Sequence, residues 1–281
     1  MKQNRKKKMK RVIPGFGLSL GITVSMLGLI VLIPLCTLVV FSSQLSLQSF
    51  WETVTRPRVL SSYCVSFQTA FIAAVVDAIM GLIIAWVLVR YDFPGKKLMN
   101  GIIELPFALP TAVAGISLTH LTTTSGWVGR LFEPFGIKIA YTRLGITVAL
   151  IFIGIPFVVR AVQPVLENID VAYEEAANIL GANTRQTFWG VILPELLPAL
   201  IGGFTLSFAR GLGEYGSVVF IAGNQPYETE IAPLMIMSEL QEYDYTSATS
   251  IALVMLFVAF LILFVNAILQ SKTSKRVSGI A

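Results

Sequence analysis

Residues 173–181 read Tyr173-Glu174-Glu175-Ala176-Ala177-Asn178-Ile179-Leu180-Gly181, and the chain then reaches Val191-Ile192-Leu193-Pro194. This polar, helix-prone stretch is wedged between two long apolar runs. Asp170 stands where a helix N-cap is expected, because its carboxylate accepts backbone N–H groups that the first turn leaves orphaned. Glu174 and Glu175 fall early in that helix, where the dipole favours negative charge. Ala176 and Ala177 combine high helix propensity with a small profile. Gly181 stops the helix by allowing positive φ. Asn183 and Gln186 have capping-box spacing for a second short helix, which Pro194 is expected to end before the next apolar run. A small helix with alanine on its face suits insertion into a groove on another protein. The plainer alternative is an ordinary amphipathic surface helix.

Working outward, the 281-residue chain is 55% hydrophobic and 13% charged, with a mean hydropathy of +0.75. A soluble globular domain carries about 25% charged residues, so the composition excludes that class. The formal net charge of +5 does not point to nucleic acid, because the basic residues sit where membrane topology places them. The expected fold class is all-α, a polytopic membrane protein with six spans. A spanning helix needs roughly 20 mostly apolar residues. Stretches 18–41, 66–89, 101–121, 144–162, 196–222 and 248–269 qualify.

Lys and Arg in the loops set the orientation. Lys2, Arg5, Lys6, Lys7, Lys8, Lys10 and Arg11 precede the first span. Arg90, Lys96 and Lys97 follow the second, Arg160 and Arg185 border the fourth loop, and Lys272, Lys275 and Arg276 follow the sixth. The opposite side holds only Arg56, Arg58, Arg130, Lys138 and Arg143. Both termini and the 170–194 loop are therefore expected in the cytoplasm. This divides the chain into a basic N-terminus (1–17), a six-span domain (18–270) and a C-terminal tail (271–281). The first apolar run is too long for a signal-peptide core and lacks a small-residue cleavage site, so it reads as an uncleaved span.

The external loop 223–247 carries Glu228, Glu230, Glu239, Glu242 and Asp244 with no Lys or Arg. It is either a solvated loop or an acidic docking rim for an extracytoplasmic partner. Its 231–240 part is apolar enough for a helix at the membrane surface. Cys36 and Cys64 read as buried free thiols, with a disulfide as the alternative.

Glu175-Ala176-Ala177, three residues, Gly181, nine residues, Val191 and then Leu193-Pro194 together resemble the cytoplasmic coupling loop of type I ABC-importer permeases. Val191 stands where the family pattern usually has Ile, a change that keeps an aliphatic. Residues 105–115, Leu105-Pro106-Phe107-Ala108-Leu109-Pro110-Thr111-Ala112-Val113-Ala114-Gly115, are similar to the third-span signature of sulfate and molybdate permeases. Residues 213–224, from Gly213-Glu214-Tyr215-Gly216 to Gly223-Asn224, resemble the T-type subunit of sulfate/thiosulfate permeases, and Thr229-Glu230-Ile231-Ala232-Pro233-Leu234 continues the likeness. It covers about 61–269. The resemblance implies a heterodimer with a second sulfate permease subunit, two ABC ATPase subunits that bind ATP and Mg, and an extracytoplasmic sulfate/thiosulfate-binding protein. It assigns ATPase coupling to Glu174, Glu175, Ala176, Ala177, Gly181, Leu193 and Pro194. It implies no cofactor on this chain and a plasma (inner) membrane location.

Arg210 falls near the middle of the fifth apolar run, where a charge costs about 2.5–3.5 kcal/mol on insertion scales and needs a partner or a wet path. Glu214 lies four residues on, on the same face. Two readings stand: a pair that holds the bundle together, or a path-lining cation that eases an anion across. Gly213, Pro110 and Thr111 join them as candidate path residues, since proline breaks inside a span are tolerated where protein or a wet cavity satisfies the backbone. Asp77 and Glu104 could serve an ion-coupled secondary transporter, the rival of another class, which predicts an internal repeat. A molybdate or tungstate permease is the nearer rival. Lone His120 makes no metal site, and no phosphate-binding G-x-x-x-x-G-K-[ST] loop occurs, so ATP is not expected on this chain.

Overall fold

The computed structural model describes residues 16–278, with side chains described through residue 268. The basic residues from Lys2 to Arg11, and the side chains of Lys272, Lys275 and Arg276, lie outside the described residues. Every regular element among the described residues is helical.

Helix α1 (Phe16–Ser42) is followed by the short α2 (Leu47–Val54), capped by Ser46, and by α3 (Pro57–Arg90). Pro57 opens α3 where its missing N–H costs nothing. Helix α4 (Lys96–Ala108) and α5 (Thr111–Thr122) follow, then α6 (Trp127–Phe132) and α7 (Arg143–Glu167). The polar stretch gives α8 (Val171–Ile179) and α9 (Thr184–Thr187). A π-helical turn at Phe188–Ile192 leads into α10 (Leu193–Leu212). Short α11 (Val218–Ile221), α12 (Ala232–Gln241) and α13 (Tyr245–Ser278) complete the chain. The segment read as a tail from 271 thus continues helically through Ser278.

The core is the α3–α7–α10 trio, which packs most extensively. Small residues set its spacing. A Cβ on Gly81 or Gly203 would come within 2.7 or 2.8 Å of Val158, so the three backbones approach as closely as membrane helices with small contact residues do.

Five helices are long and apolar enough to cross a membrane, and α4 with α5 forms a sixth candidate bent by 110°. The expected third span is therefore broken. Leu109 precedes Pro110 and takes extended angles (φ −82, ψ 135), as the residue before a proline must. The chain before and after the bend reaches opposite ends of α7. Near its start, Asn100 and Glu104 meet Arg160 from the far part of α7. After its end, Tyr141 and Arg143 contact the opposite loop: Tyr141 donates its backbone N–H to Ile221, and Arg143 reaches the carbonyls of Tyr227 and Glu228.

Three expectations need correction. The fifth apolar run does not stay helical to 222. It ends at Leu212, and a turn rich in glycine leads to α11. Pro194 does not end the second short helix. The π turn bonds Leu193 N–H to Phe188 C=O, so the ladder absorbs the proline's missing donor and runs on into α10. Cys36 and Cys64 are free, as read, but exposed rather than buried, because each lies on an outer apolar face of its helix.

The 223–247 loop also differs from an open acidic rim. Glu230 is buried and takes two hydrogen bonds from Arg58, at 2.8 and 2.7 Å. Glu239 is buried beside Arg56, 3.7 Å away. Helix α12, expected at 231–240, presses Leu234 and Met235 inward.

Candidate functional site

The 170–194 segment is built as its local chemistry dictates. Asp170 Oδ1 accepts the N–H of Ala172 at 3.0 Å. Gly181 takes φ +82, a conformation closed to most residues. Asn183 and Gln186 exchange both capping-box bonds at 2.9 Å. None of the residues of α8 is buried.

The two glutamates separate in role. Glu174 is bound by the Arg90 guanidinium, which lies over the Trp86 ring at 5.3 Å. Trp86 in turn meets Phe188 edge-on at 5.4 Å. Glu174 therefore anchors α8 to the end of α3. Glu175 and Ala176 point outward, and Ala177 is half-buried. Ile179 and Leu180 are 85% and 87% exposed. Sequence reasoning gave these two aliphatics no role, although their place directly before a helix-stopping glycine in a polar loop was the available signal. Leu193 is half-buried and Pro194 exposed; both belong to the junction that carries the segment back to α10.

The candidate path residues gather at a second junction. Arg210 sits in the last turn of α10, not at mid-span, and its Nη1 is 2.5 Å from Glu214 Oε2. Glu214 is buried, and its Oε1 accepts the N–H and hydroxyl of Ser217 at 2.8 and 3.0 Å. This carboxylate thus holds the 213–217 turn closed. Gly216 presses on Thr111, where a Cβ would fall 2.1 Å from Oγ1. The structure so joins Pro110 and Thr111 at the start of α5 to the Gly213–Glu214 turn. Arg210 remains about one-third exposed beside it, and a Cβ on Gly213 would face open space. Both readings of the Arg210–Glu214 pair are compatible with this geometry: it is a clamp between the end of α10 and the turn after it, with one open face.

Asp77 is fully buried and accepts the Ser207 hydroxyl at 2.5 Å. Its other oxygen has no partner. Glu104 pairs with Arg160. His120 is exposed, and no cluster of metal-ligating side chains occurs among the described residues. Outside the spans, the Lys96 hydrogen bond holds the Asp92 carboxyl below its usual range. Burial pushes Glu239 up. The Ser247 hydrogen bond pulls Asp244 down, in keeping with its capping of α13.

Residues 77–279 match the family of binding-protein-dependent transport system inner membrane components. The chain belongs to this family. The permease is 50% identical over 270 residues to the sulfate transport system permease protein CysT of Salmonella typhimurium, covering 96% of this chain and 98% of that one. It matches the protein of the same name from Escherichia coli equally well over the same shares. The Synechocystis protein of that name is 49% identical over 249 residues, or 89% of this chain and 87% of the relative. In fold, the permease resembles a chain of a bacterial alginate ABC transporter crystallised with its alginate-loaded periplasmic protein (TM-score 0.72, 18% identity, 94% and 95% of the two chains). It also resembles a chain of the MetNI methionine ABC transporter in an inward-facing conformation (TM-score 0.57, 19% identity, 82% and 99%).

Proposed function

We propose that the permease is the T-type membrane subunit of an ATP-driven importer of sulfate and thiosulfate. The observation that carries this reading is the half-identity over nearly full length to permeases named for sulfate transport. The coupling segment supports it independently: α8 is capped, anchored at Glu174 and offers an apolar tip.

In this reading the chain lies in the plasma membrane with both termini and the 170–194 loop in the cytoplasm. It pairs with a second sulfate permease subunit. Two ATPase subunits bind ATP and Mg and receive α8 in a groove; an extracytoplasmic sulfate/thiosulfate-binding protein delivers the anion. Glu175, Ala176, Ala177 and Gly181 shape the docking helix. Leu193 and Pro194 carry its displacement into α10 through the π turn. Closure of the ATPases draws the coupling helices together and swings the spans from inward-open to outward-open. The anion passes the junction of Pro110, Thr111, Gly213 and Glu214, where the open face of Arg210 eases a dianion through low-dielectric surroundings. Glu214 keeps that cation from becoming a tight trap.

Labelled-sulfate uptake tests this in cells lacking the chain and restored with wild type or Glu175→Arg, with thiosulfate and molybdate as competitors. Loss, rescue by wild type alone and competition by thiosulfate are expected. Competition by molybdate at far lower concentration would reassign the substrate. Uptake that persists without the chain, in cells with no second sulfate system, would overturn the proposal.

A further inference from the structure

A cavity of about 650 Å³ lies between the end of α3, the coupling helix α8 and the π turn. Its walls include Ile83, Trp86, Phe188 and Trp189, and its rim carries Thr184, Arg185 and the Glu174 carboxylate, whose charge Arg90 offsets. Apolar walls under a cationic rim describe an amphiphile's site. Arg185 is exposed and its guanidinium forms no ion pair or hydrogen bond among the described residues, in contrast to that of Arg90 nearby, which Glu174 holds.

The α3 surface continues this site along the membrane. Ile72, Val75, Ile79 and Ile83 are all exposed. Their spacing places them on one face of the helix. From Ile72 to Ile83 the stripe spans about 16 Å at 1.5 Å per residue. One leaflet of hydrocarbon is about 15 Å deep, so the stripe matches the length of an acyl chain hanging from the cavity. Tryptophan at the cavity level fits the headgroup boundary, where its ring is favoured.

We propose that this cavity binds the phosphate and upper acyl chain of an anionic glycerophospholipid, with Arg185 holding the phosphate. The bound lipid bridges α3 to the root of the coupling segment, so membrane composition bears on how firmly α8 is held. The site rests only on the chain's spanning a membrane, not on its substrate, so the test reads lipid rather than sulfate.

The assembled transporter, purified with its partner subunits, is titrated with phosphatidylglycerol or phosphatidylethanolamine and weighed by native mass spectrometry. Wild type is expected to retain phosphatidylglycerol preferentially. Arg185→Gln should weaken that retention about fivefold, the weight of one basic residue against an anionic lipid, and weaken phosphatidylethanolamine less, because its own ammonium offsets the phosphate charge. Arg185→Lys should restore most of it. Ile83→Trp, on the exposed stripe, should reduce both lipids by filling the cavity. Equal retention by wild type and Arg185→Gln would overturn the proposal. So would an assembled wild type that keeps no lipid, which would mean that a partner subunit fills the cavity. Displacement of the lipid by glycerol phosphate alone would make the site one for a free phosphate and sink the lipid assignment.

Discussion

The two ends of the permease treat charge and apolar surface in opposite ways. At the 170–194 end, α8 buries none of its residues and leaves Ile179 and Leu180 bare beyond a single anchoring pair. At the other end, α12 turns Leu234 and Met235 inward, and Arg56 and Arg58 occupy Glu239 and Glu230. Both segments are connections between spans, and both carry a short amphipathic helix beside acidic residues. The difference is that one closes on its own chain, whereas the other is held only at its root. A surface that the chain itself leaves open, with a fixed base and an apolar tip, is what a partner can move.

The largest effect should come from attacking the open end without touching the fold. Leu180→Asp places a charge on the tip proposed to dock on the ATPase. Disrupting a central hot-spot contact at an interface costs about 2 kcal/mol or more, and about 1.4 kcal/mol is already tenfold, so sulfate uptake should fall about tenfold or more. The thermal midpoint of the purified permease should hardly move, since exposed substitutions shift stability by about 0.5 kcal/mol or less. Normal uptake by a well-expressed Leu180→Asp would erase the contrast between the ends.

Glu230→Ala attacks the closed end and should give the opposite pattern. Removing one partner of a buried ion pair costs about 3–5 kcal/mol; Arg58 is partly exposed, so the low end, about 3 kcal/mol, is expected. Unfolding of the purified permease in denaturant reads this directly. Unchanged stability would show that the 223–247 loop is not pinned through Glu230.

A finer test concerns the root of α8. The Arg90–Glu174 pair is partly exposed on both sides, so a double-mutant cycle of Arg90→Gln and Glu174→Gln should give about 0.5–1 kcal/mol of coupling. Hydrogen exchange across 171–179 should rise in either single variant. Flat exchange would mean that α8 is held by something other than this pair.

Much of this contrast was legible residue by residue, but only where local chemistry decides. Asp170, Gly181 and the Asn183–Gln186 box announce their own turns, because each acts on backbone within a few positions. The break at Leu109–Pro110 was half legible: the prolines were seen, yet a hydropathy window runs straight across the 110° bend. The end of α10 was missed for a similar reason. Arg210 looked mid-span because the apolar run continues past Leu212, whereas the buried carboxylate of Glu214 folds the next turn around Ser217. The acidic rim misled because the fate of Glu230 depends on Arg58, 172 positions earlier. Charge patterning gives the side of the membrane but not which charges are already answered.

The smallest effect sharpens the closed end by pH. Burial raises the Glu239 carboxyl above its ordinary range; Arg56 and Arg58 pull it down, and Asp244 and Glu242 push it further up. The folded protein therefore binds this proton more tightly than the unfolded chain does. The contribution to stability is complete below the ordinary Glu value and is lost as pH rises through the raised folded value. Glu239→Gln imitates the protonated carboxyl at every pH. Its midpoint should exceed that of wild type modestly near neutrality, and the two should converge as pH falls below about 4. Curves that stay parallel from about pH 4 to 8 would mean that Arg56, at 3.7 Å, compensates the buried charge fully. The closed end would then be held by ion pairing at Glu239 as firmly as at Glu230, and desolvation would have no part in shaping it.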